Sequence, residues 1–375
     1  MGKDFKHNKK RIVSLFPFER GWKNVDLLKE TGLIPYLLYK KYGYEAVLVG
    51  AYNQEECPAL DQYINGVKLE YLPDGSIQSR MRYIRNYATE IDCLLLMGAY
   101  PINYQIAPLY KQLNPNGKIC IELDANIGWM DRTIWDNDDF RAFMDACDVI
   151  MTAGYSIQKY LNKKWPWKVE NILNGFYNVT GQNIEYKFEE KENIILTVSR
   201  LGTEQKAVHI LLEAFAQISN QIPQWKLHLV GSMEVEFHEY IQKFYQRFPQ
   251  LKERVIFIGE FHNKEELYEE YKKAKIFALS SVHEGFPNVI AEALNFGCVI
   301  ATTKFDVYEE CIQVRQCGMA ADINDIQGFS EILLQLCQDS RLEEKSKNAY
   351  HYGRTHYNME YIVEKLHYLI FEGDR

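Results

Sequence analysis

The chain has 375 residues, 47% of them hydrophobic and 25% charged, a length and balance that fit two ordinary domains more easily than one. Its formal net charge of -8 gives no basic footprint of the kind nucleic-acid binding leaves, so no nucleic-acid partner is expected. The eight cysteines (Cys57, Cys93, Cys120, Cys147, Cys298, Cys311, Cys317 and Cys337) form no CxxC pair and lie mostly in apolar runs, which reads as buried thiols in a reducing compartment rather than disulfides or a zinc site.

In chain order, MGKDFKHNKKRIVSLF carries too short an apolar run for a signal peptide or membrane span, which gives a cytoplasmic expectation. RIVSLF, EAVLVGA, CLLLMGAY, GKICIELD and DVIMTAG read as strands separated by segments of helical length, the pattern of a parallel sheet covered by helices. The first helix is predicted over Asp26 to Tyr42, broken or begun late because of Pro35. KYLNKKWPWK gathers Lys159, Lys163, Lys164, Trp165, Trp167 and Lys168, a mixture that suits either an anionic membrane interface or a solvated loop with its tryptophans on the core. After ILNGFYN, the polar VTGQNIEYKFEEKEN is the best linker candidate before the strand NIILTVS. A second run of strands and helices follows, ending with helices predicted over Glu343 to Tyr357 and Met359 to Phe371, and there are no repeats or low-complexity tracts.

The segment EGFPNVIAE, directly after the apolar run AKIFALSSV, places Glu284 and Glu292 seven residues apart around a turn. Gly285 permits a sharp exit from the strand and Pro287 suits the first position of a helix, which leaves the amides of Asn288 and Val289 as unpaired donors toward a phosphate. The carboxylates cannot hold that phosphate themselves and are better used on hydroxyl groups, as a sugar on each side of a diphosphate would require. Upstream, VSRLGTEQKAVHILLEAFA sets Arg200 and Lys206 six apart between a strand and a helix, while WKLHLVGS and RVIFIGEF close strands at Gly231 and Gly259.

In the order and spacing of these motifs the second half of the chain resembles the retaining glycosyltransferases of family 4, the glycosyl transferases group 1. The resemblance implies an α/β GT-B fold, two Rossmann-like domains whose parallel sheets face across a cleft. It implies an acceptor-side domain over 1–178, closed by the Asn174-Gly175 turn, a nucleotide-sugar domain over 179–357, and a final helix over 358–375 crossing back to the first domain. Arg200 and Lys206 would bind the donor diphosphate with Gly231 and the turn Gly285, Phe286, Pro287, Asn288 and Val289. Glu292 would take the ribose, Glu284 the transferred sugar, and Phe261 the base. No cofactor or metal is implied, only a nucleotide-sugar co-substrate, with UDP commonest among relatives. The acceptor would be a glycan or lipid-linked glycan of cell-envelope or capsular polysaccharide synthesis, met in the cytoplasm or at the inner face of the membrane.

Three features depart from the family. A histidine expected after the central first-domain strand is replaced by Asp124 with Asn126 nearby, and Asp124 either polarises a sugar hydroxyl or caps the next helix. The first strand–helix loop, FPFERGWKNVD, has Gly21 alone where a Gly-rich turn is usual, and a buried Trp22 would make it an ordinary loop. KFDVYEE, with Glu309 and Glu310, stands where a Gly pair is frequent. These departures leave two other readings open, a non-catalytic GT-B subunit partnering another transferase and a GT-B epimerase or phosphorylase.

Overall fold

A computed structural model describes residues 9–124, 126–133, 137–313 and 315–373. The chain divides into two compact units, Met1–Leu173 with Met359–Arg375, and Asn174–Asn358. The first unit thus ends before the expected boundary at residue 178, because Phe176 already donates its amide to the Tyr357 carbonyl at 2.7 Å within the second.

The first unit holds seven parallel strands: β1 (Arg11–Leu15), β2 (Glu45–Ala51), β3 (Lys68–Leu72), β4 (Cys93–Met97), β5 (Lys118–Glu122), β6 (Val149–Thr152) and β7 (Val169–Asn171), in the order β3-β2-β1-β4-β5-β6-β7. The central strands are apolar on both faces, as a sheet covered by helices requires. β3 and β7 were not evident in the sequence. The predicted first helix forms as a short turn, Asn24–Leu27, and a helix Glu30–Tyr42 that runs through Pro35. Proline removes the N–H that would reach the Thr31 carbonyl, and the Ser14 hydroxyl on β1 donates to that oxygen instead, at 3.1 Å.

The first strand–helix loop is organised from below. Arg80 is 1% exposed, and its guanidinium donates to the carbonyls of Phe16 (3.1 Å), Phe18 (3.0 Å), Ser76 (3.3 Å) and Gly75. Burial lowers its pKa. Trp22 is buried and stacks on Phe16 at 4.3 Å. In the 159–168 segment Trp165 is buried against Phe140, the Trp167 Nε1–H donates to Asp145 at 2.7 Å, and Lys164 and Lys168 pair with Asp131 and Glu170. Trp165 is thus packed into the core and Trp167 is tied to the fold through its N–H, contacts that the solvated-loop reading expects of them. The helix Met359–Phe371 belongs to the first unit, where Glu364 pairs with Lys41 at 2.6 Å and the His367 ring stacks on Tyr42 at 3.8 Å.

The second unit holds six parallel strands: β8 (Glu192–Val198), β9 (Lys226–Val230), β10 (Val255–Gly259), β11 (Ala274–Leu279), β12 (Val299–Thr303) and β13 (Gly318–Ala321), ordered β10-β9-β8-β11-β12-β13. The segment 179–193, expected as a linker, is instead packed into this unit. Ile184 is buried, Tyr186 stacks on Tyr350 at 5.2 Å, and the buried Lys191 ammonium donates to the carbonyls of Tyr271, Lys272 and Ala274 at 3.2, 3.0 and 2.8 Å. Those carbonyls lie at the end of the helix Lys264–Lys273, which a cation caps favourably. Glu310 lends its main-chain carbonyl to the hydroxyls of Tyr352 and Tyr357, whereas the Glu309 side chain is exposed.

Because Arg80 satisfies carbonyls of two loops at once, Arg80→Leu is expected to destabilise the first unit by about 1–3 kcal/mol or more. Urea denaturation should show a lower midpoint for this variant, and an unchanged midpoint would mean the guanidinium does not hold the loop.

Candidate functional site

In an open parallel sheet, ligands bind outside the carboxyl ends of the strands at the point where strand order reverses. In the second unit that point lies between β8 and β11. Arg200 and Lys206 leave β8, and Glu284 leaves β11, so the topology itself brings the Arg–Lys motif and the first glutamate together.

The two loops are stitched by their backbones. Val282 donates its amide to the Gln205 carbonyl at 2.8 Å, and the Ser280 hydroxyl reaches the carbonyls of Lys206 and Ala207 at 3.1 and 3.0 Å. Ala207, at φ 42°, sits in the left-handed region and turns the chain into the helix Val208–Ile218. At this crossing the Lys206 ammonium lies 2.5 Å from Glu284 Oε1, which also accepts from the Ser281 hydroxyl at 2.6 Å. Their side chains are 15% and 7% exposed, so the pair is shielded but open on one side.

Gln205 joins the remaining group. Its Oε1 accepts from Arg200 Nη2 at 3.1 Å, while its Nε2 donates to the His283 carbonyl at 3.2 Å and lies 3.4 Å from Glu284 Oε2. Gln205 therefore bridges the arginine to the glutamate. Gly231 backs this arrangement. Its φ is +133° and a Cβ there would lie 1.9 Å from the Ser199 carbonyl, so only glycine lets β9 close against the residue preceding Arg200.

The turn after Glu284 leads into the helix Asn288–Asn295, with Pro287 as its N-cap. The helix thus begins one residue later than expected, because Pro287 at ψ 99° is still extended and its carbonyl accepts from the Ile290 amide at 2.9 Å. Asn288 and Val289 head the helix, where amides lack intrahelical acceptors and the dipole is positive. Phe286 packs on Tyr357 at 5.2 Å, which anchors the turn to the core. Further along, Glu292 accepts from Lys264 Nζ at 2.7 Å and from the Tyr271 hydroxyl at 2.8 Å. Burial, and then the Glu292 carboxylate, hold the Tyr271 phenol well above its ordinary pKa, so it stays a donor. Phe261, half-buried, precedes Lys264 in the loop after β10.

Sequence reasoning missed Gln205, Ser281, Lys264 and Tyr271. Gln205 and Ser281 are neutral and stand inside loops already singled out for their charges, and Tyr271 reads as one more apolar position of an amphipathic helix. In the first unit, Asp124 follows β5 and is exposed. The cap of the next helix, Ile127–Arg132, is Asn126, whose side chain accepts from the Trp129 amide at 2.8 Å.

Removing one partner of a shielded ion pair leaves the other desolvated and uncompensated. Lys206→Met is therefore expected to destabilise the second unit by about 3 kcal/mol, and adding Glu284→Met should recover most of that loss. A double-mutant cycle by chemical denaturation checks this, and purely additive losses would show that the two side chains do not interact.

Residues 182–356, nearly the whole second unit, match the family of glycosyl transferases group 1. The chain is 25% identical over 228 residues, 60% of its length and 60% of the relative's, to the GalNAc-alpha-(1->4)-GalNAc-alpha-(1->3)-diNAcBac-PP-undecaprenol alpha-1,4-N-acetyl-D-galactosaminyltransferase of Campylobacter jejuni. It is 28% identical over 203 residues to the amylovoran biosynthesis glycosyltransferase of Erwinia amylovora, covering 53% of this chain and 52% of that one. The match thus spans less than two thirds of these relatives' own length. Among solved structures, the Anabaena protein HepE in complex with UDP superposes with a TM-score of 0.72 at 16% identity, over 96% of this chain and 98% of that one. With its two parallel-sheet, Rossmann-like units and this superposition the chain has a GT-B fold, and it is residues 182–356 that match the glycosyl transferases group 1.

Proposed function

We propose that this chain is a retaining, metal-independent glycosyltransferase of family 4 that moves a sugar from a UDP-sugar to a glycan or lipid-linked acceptor in polysaccharide synthesis. The observation that carries the reading is the convergence of Arg200, Lys206 and Glu284 at the strand-order reversal of the second sheet, with Gln205 joining them. In support, the Erwinia relative is a glycosyltransferase of amylovoran biosynthesis, the Campylobacter relative's name describes an undecaprenol-diphosphate-linked glycan, and UDP is the nucleotide held by the Anabaena neighbour.

On this reading the donor's diphosphate takes the place of Glu284 as the partner of Lys206. Arg200, which no carboxylate occupies in the ion pairs described, approaches the same phosphates, and the head of the helix Asn288–Asn295 supplies amides. Cations fixed in place before the reaction stabilise charge growing on the leaving diphosphate, so the protein carries out with side chains what a metal ion does elsewhere. Released from Lys206, Glu284 accepts from a hydroxyl of the transferred sugar. Glu292, already oriented by Lys264 and Tyr271, keeps a lone pair on each oxygen for the ribose hydroxyls.

Thermal stability with a panel of UDP- and GDP-sugars tests the donor class, since a ligand at about 100 times its dissociation constant adds roughly 2.7 kcal/mol. The partner exchange makes a sharper prediction. Glu284→Gln removes a negative charge beside the diphosphate, so UDP alone should bind about three- to tenfold more tightly, while sugar transfer falls roughly 100-fold. Calorimetric titration with UDP and a turnover assay read the two effects, and weaker UDP binding in the variant would overturn the exchange.

A further inference from the structure

The first sheet has a strand-order reversal of its own, between β1 and β4. Three aromatic side chains leave the carboxyl ends of β1, β4 and β5 beside it. Phe18 meets Tyr100 with ring centroids 5.5 Å apart, and Tyr100 meets Trp129 at 5.9 Å in an edge-on arrangement. Phe18 and Tyr100 are half-buried and Trp129 is 38% exposed, so the row is supported from behind and open in front.

Each ring is held in place by the fold. Gly98 has φ +70°, and a Cβ there would sit 2.0 Å from the Tyr100 ring, which therefore lies folded back over the glycine. The Phe18 carbonyl is fixed by Arg80 at 3.0 Å, and the Trp129 amide by the Asn126 side chain at 2.8 Å. Burial, and then the charges of Asp124 and Glu122, push the Tyr100 phenol up to about 12, so its hydroxyl stays protonated as a donor.

Singly exposed aromatics need no explanation, but a row of them that carries a hydroxyl donor has a specific complement. A pyranose ring offers an apolar C–H face to the rings and hydroxyls to the polar edge, the mixture of apolar lining and few polar groups that small-molecule sites show. We infer that Phe18, Tyr100 and Trp129 form a subsite for the terminal sugar ring of a glycan acceptor. Identifying that sugar as the acceptor rests on the transferase reading above, whereas the binding of a pyranose does not.

The test is saturation-transfer NMR of the full chain with methyl α- and β-glycosides of glucose, galactose, N-acetylglucosamine and N-acetylgalactosamine. At least one glycoside should receive saturation, strongest on its ring C–H protons. Trp129→Ala should weaken that binding about tenfold, and Trp129→Phe, which keeps an aromatic face, should restore most of it, a rescue that a merely structural role would not produce. Wild type that binds none of the glycosides, or binding undiminished in Trp129→Ala, overturns the subsite. UDP titrated into the wild type reads the other unit separately. UDP binding without glycoside binding sinks the subsite and leaves the transferase reading standing, and Trp129-dependent glycoside binding without nucleotide binding does the reverse.

Discussion

The chemistry of this chain depends on a constraint of parallel sheets. Every connection is a right-handed crossover, so where the strand order reverses, the helices following two neighbouring strands go to opposite faces and their loops diverge. Both sheets contain one such point, between β1 and β4 and between β8 and β11. The central strands, buried on both faces, carry mostly apolar side chains along their length, and the charged groups of the site stand at the carboxyl ends where the loops part. Arg200, Lys206 and Glu284 in one unit, and Phe18, Tyr100 and Asp124 in the other, all stand in the loops that follow a strand's carboxyl end. The fold thus fixes where a ligand can bind before any single side chain determines which ligand.

Within the second unit the two cations are held differently. Lys206 is mostly buried and already neutralised by Glu284, so an incoming phosphate must displace a carboxylate to reach it. Arg200 is exposed, and among the described residues its guanidinium is joined to the neutral Gln205 amide at 3.1 Å and to no carboxylate, so it can turn toward an anion without breaking an ion pair. A site with one committed and one available cation can attract a diphosphate through the second and exchange partners at the first. It also avoids leaving two like charges uncompensated in a partly desolvated crevice while the site is empty. Gln205 suits this role because an amide both accepts from the guanidinium and donates toward the glutamate side.

How much of this was legible in the sequence follows from the physics of each element. RIVSLF, EAVLVGA and AKIFALSSV announced themselves by apolar character on both faces. β3, read as Lys68-Leu69-Glu70-Tyr71-Leu72, lies at the sheet's edge and carries charges, and β7 has only three residues, so neither has the composition of a central strand. Pro35 suggested a broken helix because sequence shows the missing donor but not the Ser14 hydroxyl that replaces it. The charges of Glu185, Lys187 and Glu190 made 179–193 look like a linker, yet Ile184, Tyr186 and Lys191 pin it to the core. In the site, residues fixed by spacing along the chain were readable, namely Arg200, Lys206, Glu284 and Glu292. Those defined by who meets whom across loops, such as Gln205 and Tyr271, were not.

The loop FPFERGWKNVD shows how a departure in sequence becomes a different surface. A Gly-rich turn can bring its peptide N–H groups close to a phosphate because nothing stands between backbone and ligand. Here the carbonyls of Phe16 and Phe18 are drawn to the Arg80 guanidinium, Trp22 is packed beneath on Phe16, and Gly21 alone retains a left-handed conformation, at φ +70°. With its carbonyls held by an interior cation, the loop presents the half-buried Phe18 ring beside Tyr100. An aromatic face next to Tyr100 has little to offer a diphosphate and much to offer the C–H face of a sugar. The commitment of this loop's carbonyls to Arg80 and the aromatic row at the strand ends thus go together, and both suit the pyranose subsite inferred above better than a phosphate.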